Sequence, residues 1–432
     1  MSLMPSRRRF LRLLLSAVPA SSTLMTRQGR ASPAPSPQPE TVRLLMPAPF
    51  VDALAPAVAR FNRAHGDVQI AVTRGPLDTE ALSDLASGSL LLGASAFDLL
   101  LMDISWTARY AAAGWLVPLE PLLGEEAMAQ MVPEARLGNA FGDHIWRLPL
   151  SGDTALLYWR TDLLPHPPRN LQEMEAMARD LQRRGRVRWG YVWQGRQYEG
   201  LSCVVLEMLH AFGGRWWNHV SGRTDLLSPR ALEACAWLAN LVRTGVSPPG
   251  VANFAENDAL QLFSSGEVAF LRNWPYAWGL LAREGGPVSG RVGVTPLVGA
   301  DGWAGGGTLG TWGLSLLAGS PRPQAAARVI RWLTGVETQR ELVVSQGYAP
   351  TWPSLYADAD LRAAHPLLDI QRRALRTALV RPITPLYAQL SDVLQRQING
   401  LLTSDLPPEL ALARAQEQSD LILRATGARA TP

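Results

Sequence analysis

The chain has 432 residues, which exceeds one compact core and fits two lobes plus a leader. Hydrophobic residues make up 47% of it, as in soluble globular proteins, and no later stretch reaches the roughly 18 unbroken apolar residues of a membrane span. The net charge of +4 reflects six arginines among the first 38 residues, so the remainder is slightly acidic and gives no composition-level argument for nucleic-acid binding.

The N-terminus predicts export from the cytoplasm. Residues 6–12 (SRRRFLR) fit the twin-arginine signal, an address read by a receptor, and residues 13–20 form the apolar region that follows in a signal peptide. A plain secretory signal and an unstructured basic N-terminus are the alternatives. No cysteine lies near the apolar region, which argues against a lipid anchor and for a free periplasmic protein.

A short tether separates this signal from the folded part. Cleavage near Ala20 or near Ala31 fits the sequence, and we take residues 1–31 as the signal peptide. Residues 32–39 (SPAPSPQP) are rich in proline and serine and cannot build a core. The fold is therefore expected to begin at about residue 40.

Strands and helices alternate at the start of the folded part. The hydrophobic pattern predicts strand, helix, strand, helix, strand over residues 42–46, 51–64, 68–72, 79–90 and 97–102, with Asp78 or Thr79 capping the second helix. This order implies a parallel α/β sheet, in which ligands bind beyond the carboxyl ends of the strands. Asp103 directly follows the third strand and is therefore a candidate ligand contact.

The rest of the chain continues as a mixture of strands and helices. Strands are predicted at residues 155–159, 268–272 and 313–317. Helices are predicted at residues 171–184, 200–212, 229–244, 260–265, 323–333, 336–346, 387–402 and 408–425. A glycine run at 305–307 marks a bend, but it lacks the flanking pattern of a nucleotide-binding loop.

Tryptophan is unusually frequent, with 15 copies against 9 phenylalanines. Sugars have apolar C–H faces and polar rims, so their sites combine flat aromatic rings with a few placed polar groups. Most single tryptophans pack in a core. Trp274 precedes Pro275, however, and Trp312 stands between Gly310 and Gly313, and rings at such bends can project into a cleft.

Three further charged residues occupy comparable places. Asp153 precedes the strand at 155–159, and Glu256 fits the first turn of a helix, where the helix dipole favours an acid. Arg381 precedes Pro382, which favours an extended backbone from which the side chain could reach across a cleft. The alternative for each is an ordinary structural charge.

Cys203 and Cys235 are the only cysteines and lie in two consecutive predicted helices. An oxidising compartment permits a disulfide between them, and two buried free thiols are the alternative. There is no CxxC pair and the six histidines are scattered, so the sequence predicts no metal site, no cofactor and no catalytic residue.

Several long segments carry a family resemblance. They are residues 101–106 (LMDISW) with 113–119, 153–164 (DTALLYWRTDLL), 193–201 (WQGRQYEGL), 266–278 (GEVAFLRNWPYAW) and 380–386 (VRPITPL). Over residues 40–425 the chain resembles the family 1 extracellular solute-binding proteins, in the trehalose/maltose branch that serves ABC sugar importers.

The resemblance implies a type II periplasmic binding protein fold, α/β in class, with two lobes joined by hinge strands. Each lobe would hold a mainly parallel sheet flanked by helices. Lobe 1 would comprise residues 40–152 and 297–345, and lobe 2 residues 153–296 and 346–432. The resemblance also implies a monomer that is not an enzyme, closes on a small carbohydrate and passes it to ABC permease subunits in the membrane.

Ligand contacts follow from the resemblance as well: Asp103, Asp153, Glu256, Trp274, Tyr276, Gly310, Thr311, Trp312 and Arg381. Relatives usually carry a polar residue in the loop after the first strand, where this chain has Pro47-Ala48-Pro49-Phe50. The exact sugar is therefore open among trehalose, maltose, sucrose and a glucosyl-polyol such as glucosylglycerol.

Two other classes of protein compete. A glycoside hydrolase would also need aromatic walls and two carboxyls at roughly 5 Å or 6.5–9.5 Å, but Asp103 and Glu256 fall on opposite lobes of the implied fold, so their spacing would change on closure. A binding protein for another solute is the second alternative. Polyamines would need more clustered acids, and oxyanions more converging arginines and helix N-termini.

Overall fold

A computed structural model describes residues 38–76, 79–92, 96–404 and 406–426. The predicted signal peptide, most of the tether and the possible cap Asp78 lie outside the described residues. No helix within the described ranges is long and apolar enough to cross a bilayer.

Thirteen strands, eighteen α-helices and two 3₁₀ helices form within these ranges. The strands are β1 (Glu40–Pro47), β2 (Val68–Gly75), β3 (Leu99–Asp103), β4 (Ala140–Phe141), β5 (His144–Ile145), β6 (Leu148–Pro149), β7 (Leu156–Arg160), β8 (Trp189–Val192), β9 (Trp217–Asn218), β10 (Arg223–Thr224), β11 (Val268–Asn273), β12 (Val292–Pro296) and β13 (Trp312–Leu316).

The α-helices are α1 (Ala48–Ala64), α2 (Thr79–Leu91), α3 (Thr107–Ala112), α4 (Glu120–Leu123), α5 (Glu126–Ala129), α6 (Pro133–Arg136), α7 (Leu171–Arg183), α8 (Glu199–Ala211), α9 (Pro229–Arg243), α10 (Glu256–Ser264), α11 (Ala277–Leu281), α12 (Pro323–Leu333), α13 (Val336–Gln346), α14 (Pro353–Ala357), α15 (Ala359–Ala364), α16 (Leu367–Leu375), α17 (Tyr387–Thr403) and α18 (Pro408–Ala425). The 3₁₀ helices are Ile104–Trp106 and Pro249–Asn253. Every element predicted from the hydrophobic pattern is present, with ends that differ by a few residues.

The first sheet has the strand order β2-β1-β3-β13-β6. Strands β1, β2 and β3 are parallel, as predicted, and β13 is antiparallel to both of its neighbours. Leu44 and Met46 of β1 join a core with α1 and α12, whereas Leu45 joins a second core with α2. Because helices cover both faces, the end of β1 (Leu44-Leu45-Met46) reads as an apolar run rather than an alternating one.

The second sheet has the order β12-β7-β11-β8, and the prediction of a mainly parallel sheet is wrong here. Strand β7 is antiparallel to both β11 and β12, and only β11 and β8 are parallel. The reason is the path of the chain. Strand β7 leaves the first sheet without an intervening helix, and β12 leads back toward it, so the two must run in opposite directions.

Three chain segments run side by side between the sheets. Gly310 N donates to Asp153 O (2.9 Å), Leu309 N donates to Leu379 O (2.8 Å), and Leu379 N donates to Gly307 O (2.8 Å). We call these segments the crossing; they are residues 153–155, 307–311 and 379–381.

Glycines make this close approach possible. A Cβ atom at Gly307 would lie 2.5 Å from Ala155 O, and one at Gly306 would lie 2.6 Å from Thr377 O. The bend predicted from the glycine run is therefore a place where backbones touch, which only a residue without a side chain permits.

Candidate ligand-binding site

Asp103 ends β3, as the sequence predicted, and this end lies beside the crossing. Its Oδ1 accepts hydrogen bonds from Ser105 N (2.8 Å) and Ser105 Oγ (2.6 Å), which cap the first 3₁₀ helix. Trp312, the first residue of β13, pairs directly with Asp103 in the sheet and is half-buried. A carboxylate and an indole are thus placed next to each other at the carboxyl end of β3.

Arg381 lies in the crossing with its guanidinium buried. Its Nη2 donates to Asp103 Oδ1 (2.8 Å) and its Nη1 donates to Glu199 Oε1 (2.8 Å). Among the described residues, Arg381 Nε finds no acceptor and Asp103 Oδ2 receives no donor. Arg381 was expected to reach a ligand, but both of its Nη atoms bond protein carboxylates. The polar atom left for a ligand is chiefly Asp103 Oδ2.

Trp274 follows β11 and is held from three sides. Its backbone N–H donates to Asn273 Oδ1 (2.8 Å), and its Nε1 donates to Glu256 Oε1 (3.2 Å). The guanidinium carbon of Arg272 lies 4.4 Å from the ring centroid, a cation–π contact. Trp274 and Glu256 are both half-buried, so the structure brings this predicted pair together as a fixed ring with an acid at its edge.

Gly310 brings the ring of Trp274 against the crossing. A Cβ atom at Gly310 would lie 2.6 Å from Trp274 Cζ3 and 2.8 Å from Cη2, closer than real Cβ contacts allow. Gly310 was expected to contact the ligand; what the structure shows is that its missing side chain lets the Trp274 ring touch the segment that leads into β13.

Gly310→Ala should displace the indole and lower the free energy of unfolding by about 1–3 kcal/mol, since inserting a methyl group into a filled space forces side chains off their preferred conformations. Urea denaturation measures the effect. Gly279→Ala is the matched control, because no atom lies within 4 Å of its added Cβ. Equal stability of the two variants would contradict the close packing.

Thr311 is fully buried and contacts Arg147 rather than solvent. Arg147 Nη2 donates to Thr311 O and to Thr311 Oγ1 (2.9 Å), and its Nε donates to Met102 O (3.2 Å). Burial lowers the pKa of Arg147 to about 9, although the charge of Asp103 opposes the shift. Arg147 thus fastens the crossing to the end of β3. Arg147 could not be predicted from the local pattern, because it lies in a loop between two-residue strands.

Asp153 is also buried in the crossing. Its Oδ1 accepts a hydrogen bond from Ala349 N (2.9 Å), and no arginine pairs with it among the described residues. Burial without a cation raises the pKa of Asp153 to about 7, against 3.8 for an exposed aspartate. Its position indicates that it ties the crossing to the segment after α13.

The raised pKa of Asp153 predicts that the protein loses stability as the pH rises from 4 to 7. Below about pH 4 the carboxyl is protonated in both states and contributes nothing; between pH 4 and 7 the unfolded chain loses this proton and the folded protein keeps it. Wild type should therefore lose stability relative to Asp153→Asn as the pH rises, by on the order of 4 kcal/mol at pH 7 and no more above it. Parallel denaturation curves from pH 4 to 8 test this, and a constant difference would contradict it.

Aromatic rings adjoin Trp312 on the first-sheet side. The Phe50 ring stacks on Tyr348 with centroids 5.0 Å apart and lies 5.5 Å from the Trp312 centroid. Tyr276 is half-buried against the second-sheet core, and burial, with Glu256 and Tyr348 contributing, raises the pKa of its hydroxyl. The apolar loop noted in the sequence thus brings Phe50 against the site; Phe50 and Tyr348 were not predicted as site residues.

A shallow surface depression adjoins the Asp103–Arg381 pair. It is lined by Ile104, Ser105, Thr107, Ala108, Gly138 and residues 380–383. This lining is mostly apolar and includes neither Trp274 nor Trp312, so the depression extends the site on the Ser105 side of the ion pair rather than between the two tryptophans.

The suggested disulfide is not formed: Cys203 and Cys235 are both free and buried. Burial raises the pKa of both thiols, but charges of Arg381, Glu199, Arg272 and Glu207 act only on Cys203. The two sulfurs therefore occupy different surroundings, although helices α8 and α9 pack against each other.

Comparison with known proteins gives consistent results. Residues 47–340 match the family described as bacterial extracellular solute-binding protein. A probable ABC transporter-binding protein of Deinococcus radiodurans is 32% identical over 355 residues, 79% of this chain and 84% of the relative. A mannitol-binding protein of Pseudomonas aeruginosa is 25% identical over 407 residues, 85% of this chain and 89% of the relative.

The fold agrees with a solved structure. Maltose-bound MalE3 of T. maritima superposes with a TM-score of 0.83 at 30% identity, over 89% of this chain and all of that one. The likeness shows the two-lobed fold of maltose-binding proteins. The chain belongs to the bacterial extracellular solute-binding proteins.

Proposed function

We propose that the protein binds a disaccharide or a glucosyl-polyol between its lobes and delivers it to the permease of an ABC importer. One observation carries the proposal: half-buried Trp274 touches the crossing at Gly310, and half-buried Trp312 pairs with Asp103, whose second carboxylate oxygen no described residue occupies. Two flat rings and a charged acceptor are what a pyranose needs, since its C–H faces are apolar and its rim carries hydroxyls.

The polar groups fit neutral hydroxyls better than ions. Asp103 Oδ2 and the half-exposed carboxylate of Glu256 are acceptors, and charge-assisted hydrogen bonds from sugar hydroxyls would be strong. Arg381 and Arg272 are both bound to buried acids, so neither offers a free cation to an anionic ligand. This arrangement disfavours an oxyanion as the solute.

The similar proteins support a sugar or polyol as the ligand, but they do not agree on a single compound. The similar proteins include a mannitol-binding protein and a maltose-bound structure. Trehalose, maltose, sucrose and glucosylglycerol are the candidate ligands, and mannitol joins them on the strength of that relative. With the signal at residues 1–31, the mature protein would act in the periplasm as a monomer.

Hinge closure would couple binding to delivery. Two segments of the crossing, residues 153–155 and 307–311, link the two sheets covalently, so rotation about them would open and close the space between Trp274 and Trp312. A sugar that contacts both lobes at once favours the closed form, because only there are all its contacts made.

Calorimetric titration of the mature protein, starting at residue 32, tests the proposal. The ligands are trehalose, maltose, sucrose, glucosylglycerol and mannitol. Saturable binding of at least one, with the ligand recovered intact, is the expected result. No binding by folded protein to any of them would refute the sugar or polyol assignment, and release of glucose would point to a hydrolase instead.

A further inference from the structure

Arg381 joins two acids that belong to different halves of the molecule. Asp103 ends β3 of the first sheet, whereas Glu199 begins α8, whose Leu201 and Val204 pack in the core with Leu157 of the second sheet. The guanidinium is 4% exposed and bonds each acid through a different nitrogen, at 2.8 Å in both cases. A single buried cation is therefore shared across the crossing.

Glu199 is held firmly on its own side. Its Oε1 also accepts a hydrogen bond from the Tyr387 hydroxyl, and its Oε2 accepts one from Ser391 Oγ (2.9 Å). Both donors lie on α17, and Glu199 itself is in the first turn of α8, where the helix dipole favours a negative charge. The carboxylate is thus fixed by two helices and is not a loose surface charge.

The hydrogen bond from Arg381 to Glu199 determines how Arg381 can bond Asp103. Arginine and a carboxylate prefer a bidentate pair, in which two parallel N–H groups meet both oxygens. Here the pair is monodentate: Nη2 meets Asp103 Oδ1, while Nη1 is taken by Glu199. If Glu199 lost its charge, Nη1 could turn to Asp103 Oδ2 and occupy the oxygen that a ligand would use.

We infer that Glu199 is a positioning residue for ligand binding: by holding Nη1 of Arg381 it keeps Asp103 Oδ2 available to a sugar hydroxyl. The inference rests on the proposed function for its ligand but on the ion-pair geometry for its mechanism. Glu199 lies in the segment Tyr198-Glu199-Gly200-Leu201, which stood out in the sequence without a role.

A double-mutant cycle tests this with maltose as the probe. Glu199→Gln should weaken maltose binding at least tenfold, yet change it less than twofold when added to Asp103→Asn, because the effect passes through Asp103. Glu175→Gln is the matched control. Glu175 pairs with Arg179 on the second-sheet side and does not contact Arg381. The maltose affinity of Glu175→Gln should therefore stay at the wild-type value.

A purely structural role would lower the melting temperature of Glu199→Gln and leave its affinity unchanged, and additive effects in the cycle would equally overturn the inference. If wild type does not bind maltose, a crystal structure of Glu199→Gln decides instead. Arg381 bidentate on Asp103 is expected, and an unchanged monodentate pair would overturn the inference even if a different solute is later found.

Discussion

Trp274→Ala should weaken binding of the cognate sugar by about 30- to 1,000-fold, the range of a truncated aromatic hot spot. The ring supplies the flat apolar surface on the second-sheet side, and its orientation is set by Glu256 at Nε1 and Arg272 on its face. Removing it takes away the stacking area and leaves Glu256 without its donor. Titration calorimetry on the variant measures the loss.

Trp303→Ala is the control for that experiment. Trp303 is also a tryptophan in the chain segment before the crossing, but it is 45% exposed and lies over Arg230 on the surface. Its removal should leave the affinity within about twofold of wild type, because it touches none of the site residues. If Trp274→Ala bound as tightly as Trp303→Ala, the ring would have no part in the site.

Glu207→Ala should destabilise the protein by about 3–5 kcal/mol, the usual cost of leaving one member of a buried ion pair alone. Glu207 and Arg272 are fully buried and share two hydrogen bonds, at 2.6 Å and 3.0 Å. Glu207 Oε1 also accepts from Thr308 N (3.0 Å), so the pair fastens α8 to the crossing directly beneath Trp274. Urea denaturation gives the free energy of unfolding.

The double variant Glu207→Leu/Arg272→Met separates charge from packing. Replacing both charges with apolar side chains of similar length removes the stranded cation, so most of the lost stability should return. Its sugar affinity should nevertheless fall, because Arg272 no longer supports the Trp274 ring. A loss below about 1 kcal/mol in Glu207→Ala would show that the pair is not needed for stability.

The local pattern predicted those parts of the site that follow from strand order. The position of Asp103 at a strand end was predicted correctly because the strand patterns of β1, β2 and β3 are separated by helical ones, and a parallel sheet brings the carboxyl ends of its strands to one edge. Trp274 was selected from the proline that follows it and Gly310 from the family resemblance, and the structure brings the two into contact. Such features can be predicted because the residues that signal them are neighbours in the sequence.

Partnerships across the chain could not be predicted in this way. Arg381 meets Asp103 and Glu199 across 278 and 182 positions, and Arg147 meets Thr311 across 164. No periodicity or spacing encodes these pairs, because each depends on how the segments of the crossing stack. The prediction of a mainly parallel second sheet was wrong for the same reason. The neighbours of β7, strands β11 and β12, come more than a hundred residues later in the chain.

A crystal structure of the protein with the sugar that binds most tightly would show the binding site itself. We expect the sugar between the two sheets, with a ring face on Trp274 and a hydroxyl donating to Asp103 Oδ2, while Arg381 still bonds Asp103 and Glu199. A sugar bound away from Trp274 and Trp312, or one that makes no contact with Asp103, would contradict the proposed site.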